Sequence, residues 1–319
     1  MSASSISNSK AISKFVLRII AYISLNIVVL IPLYLNGREK ATVESVYASV
    51  LLKHQLIVET KSPKIILAGA SGTLFGYDSE LLERLTGYPV VNLAITLQSG
   101  LFYILEEIKY YAHSGDIVIF APEYHLFMKD QTDIRLIAEL VTYDNEVINL
   151  VNHKVDLIVP IFQEIVRVIR LGIGSPLLKS NTTNPFVLAD ITSYGDLADE
   201  CHTGQLDFVD SWANSMTYDE GYPECVFSSI NQVSQFSDSM NIKFYIIFPA
   251  VTDSFYLKPG IALLAYRIRD EIDASFLGVP EGSVYEDSMF YNSIYHLNSS
   301  AAIVRTNDLY RLLKKDSCL

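Results

Sequence analysis

The chain has 319 residues and a formal net charge of −12; half of its residues are hydrophobic and 19% are charged. This composition excludes a disordered, collagen-like or small disulfide-stabilised protein, and it is sufficient to bury a sizeable core. Nucleic acids select clustered Lys and Arg side chains, so the acidic balance argues against nucleic acid as a partner.

A mostly apolar segment follows the polar N-terminal residues. Its uncharged core runs from Ile19 to Leu35, 17 residues, which is near the shortest helix that spans a bilayer. Arg18, one turn inside the apolar run, can extend its charge back to the lipid headgroups. We therefore predict that residues 1–40 form a cytoplasmic tail and a signal-anchor helix in the lipid bilayer. A cleaved signal peptide and a buried core helix are the alternatives.

Basic residues flank this segment unevenly. Three precede the apolar core and two follow it closely, which favours a cytoplasmic N-terminus. The remainder of the chain, residues 41–319, would then be extracytoplasmic, in a periplasm or at the cell surface. In such an oxidising compartment Cys201 and Cys225 could pair.

The first half of this remainder alternates strand and helix patterns. Short apolar strands are predicted at Lys64–Ala68, Pro89–Ala94 and Asp116–Ala121, helices at Ser79–Leu85 and Leu101–His113, and a later strand at Ile242–Val251 after an amphipathic helix. Strands without a polar face need helices on both sides. The alternation predicts an α/β domain with a parallel sheet.

The pattern breaks into an insertion at about residues 125–225. It contains a long helix candidate, Glu146–Gly172, interrupted by Pro160, and then a stretch rich in Ser, Thr, Asn and Gly that runs to Gly204. Loops at the carboxyl ends of strands are where function concentrates. The insertion is therefore interpreted as either a roof over a site or a packing annex.

A candidate nucleophile lies where the first strand meets a helix. The segment from Ile66 to Leu82 reads ILAGASGTLFGYDSELL and places Ser71 at the carboxyl end of the strand. A tight turn presents a serine hydroxyl to substrate, and the N–H groups of Ser71 and Gly72 can face a developing oxyanion. A small-residue turn that packs or holds a phosphate is the alternative.

A candidate base lies near the other end of the chain. His296 precedes the last predicted helix, for which Asn298 or Ser299 is the expected cap. From such a loop a histidine can reach back over the sheet edge to a serine on the first strand. The alternative is a structural histidine. After the third strand, Glu123 and His125 could bind a sugar, position a water or cap the turn.

These two ends together resemble the SGNH hydrolase superfamily, also called the GDSL esterase and lipase group, and more specifically its membrane-anchored bacterial branch associated with cell-surface polysaccharides. The likeness covers about residues 64–127 and 241–313 and leaves the insertion uncovered. It implies a doubly wound, three-layer α/β/α sheet, Ser71 as nucleophile, His296 as general base and no cofactor. Oxyanion or substrate contacts would come from Gly72 and from the places held by Asn92 and Glu123.

The chain departs from that superfamily beside the histidine. The acid usually stands three residues before it, where this chain has Ser293, and Asn292 is the nearest look-alike; the usual Gly-x-Asn-Asp block is absent. A carboxylate stabilises the imidazolium that forms during acyl transfer, whereas an amide offers only a hydrogen bond. Asp287 or Glu286 would substitute if the loop folds back.

Two functional hypotheses follow. The first is a membrane-anchored serine esterase or O-acyltransferase acting on acyl esters, such as acetyl esters, of a cell-surface or extracellular polysaccharide, with Ser71, His296 and Asn292 as the catalytic group. The second is a catalytically inactive factor that binds the polysaccharide or its assembly proteins. We expect no metal, since no His, Asp and Glu cluster has ligand spacing, and no dinucleotide, since the glycine spacing is wrong.

Overall fold

A computed structural model describes residues 3–128, 130–174, 185–206, 224–316 and 318, with side chains from residue 11 onward. The strands are β1 (Ile65–Gly69), β2 (Val90–Asn92), β3 (Ile117–Ala121), β4 (Lys243–Ile247), β5 (Val251–Thr252), β6 (Ser275–Leu277) and β7 (Val284–Tyr285). The helices are α1 (Ala3–Glu44), α2 (Ser49–Glu59), α3 (Ser71–Leu74), α4 (Ser79–Thr86), α5 (Leu101–Tyr111), α6 (Ile134–Tyr143), α7 (Ile158–Gly172), α8 (Glu224–Ser239), α9 (Asp253–Tyr256), α10 (Ile261–Glu271) and α11 (Ser299–Lys315).

The centre of the fold is a parallel sheet in the order β2-β1-β3-β4-β6. Ile65 pairs with Val90 on one side and with Ile117 on the other, so β1 lies between β2 and β3. The predicted α/β fold with a parallel sheet is confirmed. β5 and β7 pair separately, also in parallel.

Both faces of the sheet are buried. Ile66 and Val118 belong to a core that also contains apolar residues of α5, α8 and α10. Their neighbours Ile65 and Ile117 point the other way, into a core with Leu82 of α4 and residues of α11. Successive side chains of a strand alternate between faces, which explains why these strands are apolar throughout.

Most predicted boundaries hold within a few residues, and the differences have local causes. The predicted late strand divides at Phe248 and Pro249 into β4 and β5, since a proline cannot donate to a sheet ladder. α4 is capped by Asp78, whose carboxylate accepts from Leu81 N at 2.8 Å. α11 is capped by Asn298, as expected.

The long helix predicted in the insertion is wrong in its N-terminal half. Short 3₁₀ turns occupy Asn145–Leu150 and Lys154–Leu157, and the α-helix begins at Ile158. Pro160 therefore lies in the first turn of α7, where a missing N–H costs nothing because first-turn N–H groups have no intrahelical acceptor.

The N-terminal helix is exposed along its apolar length. An 18-residue window within Ala11–Glu44 has a mean hydropathy of 2.2 and none of it is buried in the protein, so the helix is long and apolar enough to cross a membrane. Beyond the apolar stretch, α1 packs closely on α7. A Cβ at Gly37 would lie 1.8 Å from Val168 O, and Asn36 Nδ2 donates to Gly172 O at 2.8 Å.

The cysteines are unpaired. All three lie among the described residues as free thiols, so the Cys201–Cys225 disulfide that an oxidising compartment would allow is not formed in this structure.

Candidate active site

Ser71 begins a short helix at the carboxyl edge of the sheet. β1 ends at Gly69, and α3 starts two residues later. Phe75 N donates to Ser71 O at 3.0 Å, which places Phe75 one helical turn above the serine. In an open parallel sheet this edge is where ligands bind.

His296 reaches the same place from the other end of the chain. Its ring stacks on Phe75, with the ring centres 4.0 Å apart and the planes 3° from parallel. Nδ1 lies 2.8 Å from Asn292 Oδ1. When that amide oxygen accepts from Nδ1–H, Nε2 is the basic nitrogen of the ring.

The surroundings of His296 favour the neutral ring. Burial among apolar neighbours, with a smaller effect from His202, lowers the pKa of His296 to about 3. The imidazole is therefore deprotonated at neutral pH and available as a base, although a weak one.

Glu123 is the hydrogen-bond partner of the nucleophile turn. It follows β3 and is 1% exposed. Its Oε1 accepts from Gly72 N at 2.6 Å and from Ser71 Oγ at 3.4 Å. Both Ser71 and His296 are described, and no hydrogen bond joins them. Glu123 thus accepts the hydrogen bond from Gly72 N–H that the carbonyl oxygen of a bound acyl group would otherwise accept.

One cleft of about 550 Å³ is lined by Ser71, Glu123 and His296. The loop between β2 and α5 contributes Thr96 and Gln98, and the insertion contributes Gln131 and Phe186. The insertion therefore lines part of the cleft. Phe186 extends the aromatic wall, with its ring centre 5.5 Å from that of Phe75.

Asn92 lies behind the nucleophile turn, fully buried. Its Nδ2 donates to Thr73 O at 3.1 Å and to Asp196 Oδ1 at 2.8 Å, and its Oδ1 accepts from Ala94 N. The predicted oxyanion or substrate residue thus holds α3 against the insertion.

The remaining candidates contact other groups. His125 Nδ1 bonds to Tyr295 Oη at 2.8 Å, and its ring packs on Phe255. Asp287 Oδ1 accepts from Ser254 N at 3.4 Å and Glu286 from Ser288 Oγ. The side chain that contacts His296 Nδ1 is therefore Asn292, not Asp287 or Glu286.

Sequence reasoning missed Asp196, which organises the back of the site. It accepts from Ser79 N and Ser79 Oγ, each at 2.8 Å, besides Asn92. Burial raises its pKa and lowers the pKa of nearby Lys53, whose ammonium donates to Asn92 O and Ala94 O. Asp196 lies in a polar loop without periodicity, so no sequence pattern marks it.

Comparisons with known proteins do not assign the chain to a family: no family model and no curated protein matches it. Within the described ranges, no group of three or more His, Cys, Asp or Glu side chains is placed to hold a metal ion.

Proposed function

We propose that this chain is a membrane-anchored protein of the SGNH type that hydrolyses or transfers an acyl group, such as acetyl, of a cell-surface or extracellular polysaccharide. The proposal is carried by one observation: Ser71, Glu123 and His296 line one cleft at the carboxyl edge of the sheet, and Gly72 N donates to Glu123 there. The strand order, with β1 between β2 and β3, is the order expected of a doubly wound sheet at its ligand-binding point.

The proposed reaction begins when the Ser71 hydroxyl turns from Glu123 to His296. Oγ bonds to the acyl carbon while its proton passes to His296 Nε2, and the carbonyl electron pair moves onto oxygen beside Gly72 N–H. Collapse expels the sugar oxygen, which takes the proton from His296. Water or a second sugar hydroxyl then attacks the acyl-serine, releasing an acid or forming a new ester.

The proposed location rests on α1 and on the charges beside it. The helix is long and apolar enough to span a bilayer, and the basic residues before its apolar core outnumber those after it. The positive-inside tendency then puts the α/β domain outside the cytoplasm, where glycan esters would be met.

Labelling with a fluorophosphonate probe tests the nucleophile without knowledge of the substrate. The detergent-solubilised full chain should label and should cleave an aryl acetate, and Ser71→Ala should abolish both. His296→Ala should slow both at least a hundredfold, since a positioned base contributes about 10²–10⁴-fold. The exposed Ser228→Ala is the matched control. Equal labelling of the Ser71→Ala variant and the wild type would sink the proposal.

A second candidate function is favoured by two contacts in the same cleft. An amide stands at His296 Nδ1, and a carboxylate accepts from Gly72 N–H. Both features suit a non-catalytic protein that binds the polysaccharide or its assembly proteins. Clear Ser71 labelling that depends on His296 rejects this candidate, whereas glycan binding without labelling supports it.

A further inference from the structure

A hydrogen bond holds the His296 ring at its Nδ1 nitrogen. Asn292 Oδ1 lies 2.8 Å from that atom. A single contact of this kind fixes the position of one ring atom, but the last side-chain torsion of a histidine has a broad range, so the ring can still tilt. The direction in which Nε2 points therefore depends on what fixes the plane of the ring.

The side chain that fixes this plane is Phe75. Its ring and that of His296 are 3° from parallel, with their centres 4.0 Å apart. Carbon atoms separated by about 3.5–4.0 Å are in van der Waals contact. An imidazole that tilted would collide with the phenyl ring, so the stack removes the freedom that the Asn292 contact leaves.

Phe75 is itself packed on several sides and is only 3% exposed. Its ring centre lies 5.5 Å from those of Phe186 and His202, which meet it nearly edge-on, and 6.3 Å from that of Tyr291. Edge-to-face contacts of this kind are favourable. Phe186 and His202 belong to the insertion, which thereby helps to hold the ring on which His296 stacks.

The same helical turn carries Phe75 and the candidate nucleophile. Phe75 directly follows α3, and its N–H donates to Ser71 O at 3.0 Å. One turn of helix rises about 5.4 Å. The backbone thus sets the distance from the serine to the phenyl ring, and the stack sets the distance from the phenyl ring to the imidazole.

From this arrangement we propose that Phe75 is a positioning residue that sets the place of the His296 imidazole relative to the Ser71 hydroxyl. The inference rests on the proposed function and adds a residue to its machinery. In the superfamily that the chain resembles, a carboxylate usually orients the histidine; here an amide and an aromatic face do so together.

Kinetics of Phe75 variants test this role in the detergent-solubilised full chain. Phe75→Leu removes the flat ring and keeps an apolar side chain. For aryl acetate cleavage, kcat should fall at least tenfold while KM stays within twofold, because a misplaced base slows proton transfer without weakening binding. Phe75→Tyr keeps the ring and should stay within threefold of the wild type.

Phe244→Leu is the matched control, because this buried ring packs on Phe120 in the sheet, away from the cleft. It should leave both constants unchanged. The proposal is overturned if kcat of Phe75→Leu equals that of the control. A rise in KM alone also overturns it, since Phe75 would then only contact substrate. A folded Phe75→Tyr as slow as Phe75→Leu overturns it as well.

NMR of the histidine-labelled wild type measures the stack without any activity and without a variant that must fold. Protons over an aromatic face are shielded, so the ring protons of His296 should resonate upfield of those of the exposed His153. His296→Gln assigns the signal, and Phe75→Leu should abolish the upfield shift. Unshifted His296 signals in the wild type overturn the proposal. Upfield signals without labelling of Ser71 would support the orientation of the imidazole by Phe75 and reject only the acyl-transfer reaction.

Discussion

Two histidines of this protein lie in environments that shift their pKa values in opposite directions. His54 of α2 is buried, with Nδ1 on Asp144 and Nε2 on Glu107 Oε1 at 2.9 Å. Burial lowers its pKa, but the hydrogen bonds and charges of the two acids outweigh that effect and raise the pKa to about 9. His296 lies in the cleft with an amide at Nδ1, and burial lowers its pKa to about 3.

The difference shows how the chain distributes its carboxylates. The acids that would strengthen a catalytic histidine surround His54, where a charged imidazole links α2 to Glu107 of α5 and to Asp144, which directly follows α6. His296, which lines the same cleft as Ser71, is neutral and a weak base. We infer that His54 contributes stability and that His296 can contribute only slow proton transfer, because base catalysis is most effective when the pKa lies near the working pH.

The largest expected effect comes from removing the imidazole between the two acids. His54→Ala leaves Glu107 and Asp144 buried without their cation, and breaking such a buried pair costs about 3–5 kcal/mol. Urea unfolding of the detergent-solubilised chain should show this loss in the free energy of unfolding.

The exposed His153→Ala is the control for this prediction and should change little. Adding Glu107→Gln to His54→Ala should recover part of the loss, because one buried charge is removed. If His54→Ala costs no more than the control, the imidazole is not the cation that holds these acids.

The next largest effect is expected when His296 receives a carboxylate partner at Nδ1, as His54 already has. Asn292→Asp places a carboxylate at Nδ1, which should raise the pKa of His296 and stabilise the imidazolium formed during proton transfer. We expect the rates of fluorophosphonate labelling and aryl acetate cleavage to rise at least tenfold, about 1.4 kcal/mol of barrier.

Asn152→Asp, on the exposed surface, adds the same charge away from the cleft and should leave both rates unchanged. A rate that stays flat or falls in Asn292→Asp would mean that the amide serves binding, and it would strengthen the non-catalytic candidate.

The sequence predicted those parts of the molecule that depend on local patterns. Apolar runs marked the strands of a covered sheet, and the carboxyl ends of parallel strands share one edge. That rule predicts that Ser71 and Glu123 lie at the same edge of the sheet. The position of His296 in the loop before the last helix predicted that its ring would reach the same edge of the sheet.

The remaining contacts depend on residues far apart in the chain. Asn92 binds Asp196, 104 positions away, so its placement behind the serine could not be predicted from its own strand. The contact from Glu123 to Gly72 spans 51 positions and depends on the close spacing of β1 and β3. A side chain's partner was predictable only where the partner was local, as for the Asn298 cap.

The smallest expected effect is a difference in how the two histidines make stability depend on pH. The folded-state pKa of His54 is raised, so its contribution is complete below about pH 6.5 and is lost as pH rises through about 9. The folded-state pKa of His296 is lowered to about 3, so the fold loses stability as pH falls below about 6.5 toward that value.

Melting temperatures of the wild type, His54→Ala and His296→Gln across pH 4–9.5 should separate the contributions of the two histidines. The gap between wild type and His54→Ala should narrow at alkaline pH, and the gap between wild type and His296→Gln should shift in favour of the variant at acidic pH. Since roughly 1 kcal/mol moves the melting temperature of a domain this size by about 2–4 °C, the shifts should be a few degrees. Parallel curves for all three proteins would show that the two surroundings do not differ electrostatically, and the contrast between the histidines would then be one of packing alone.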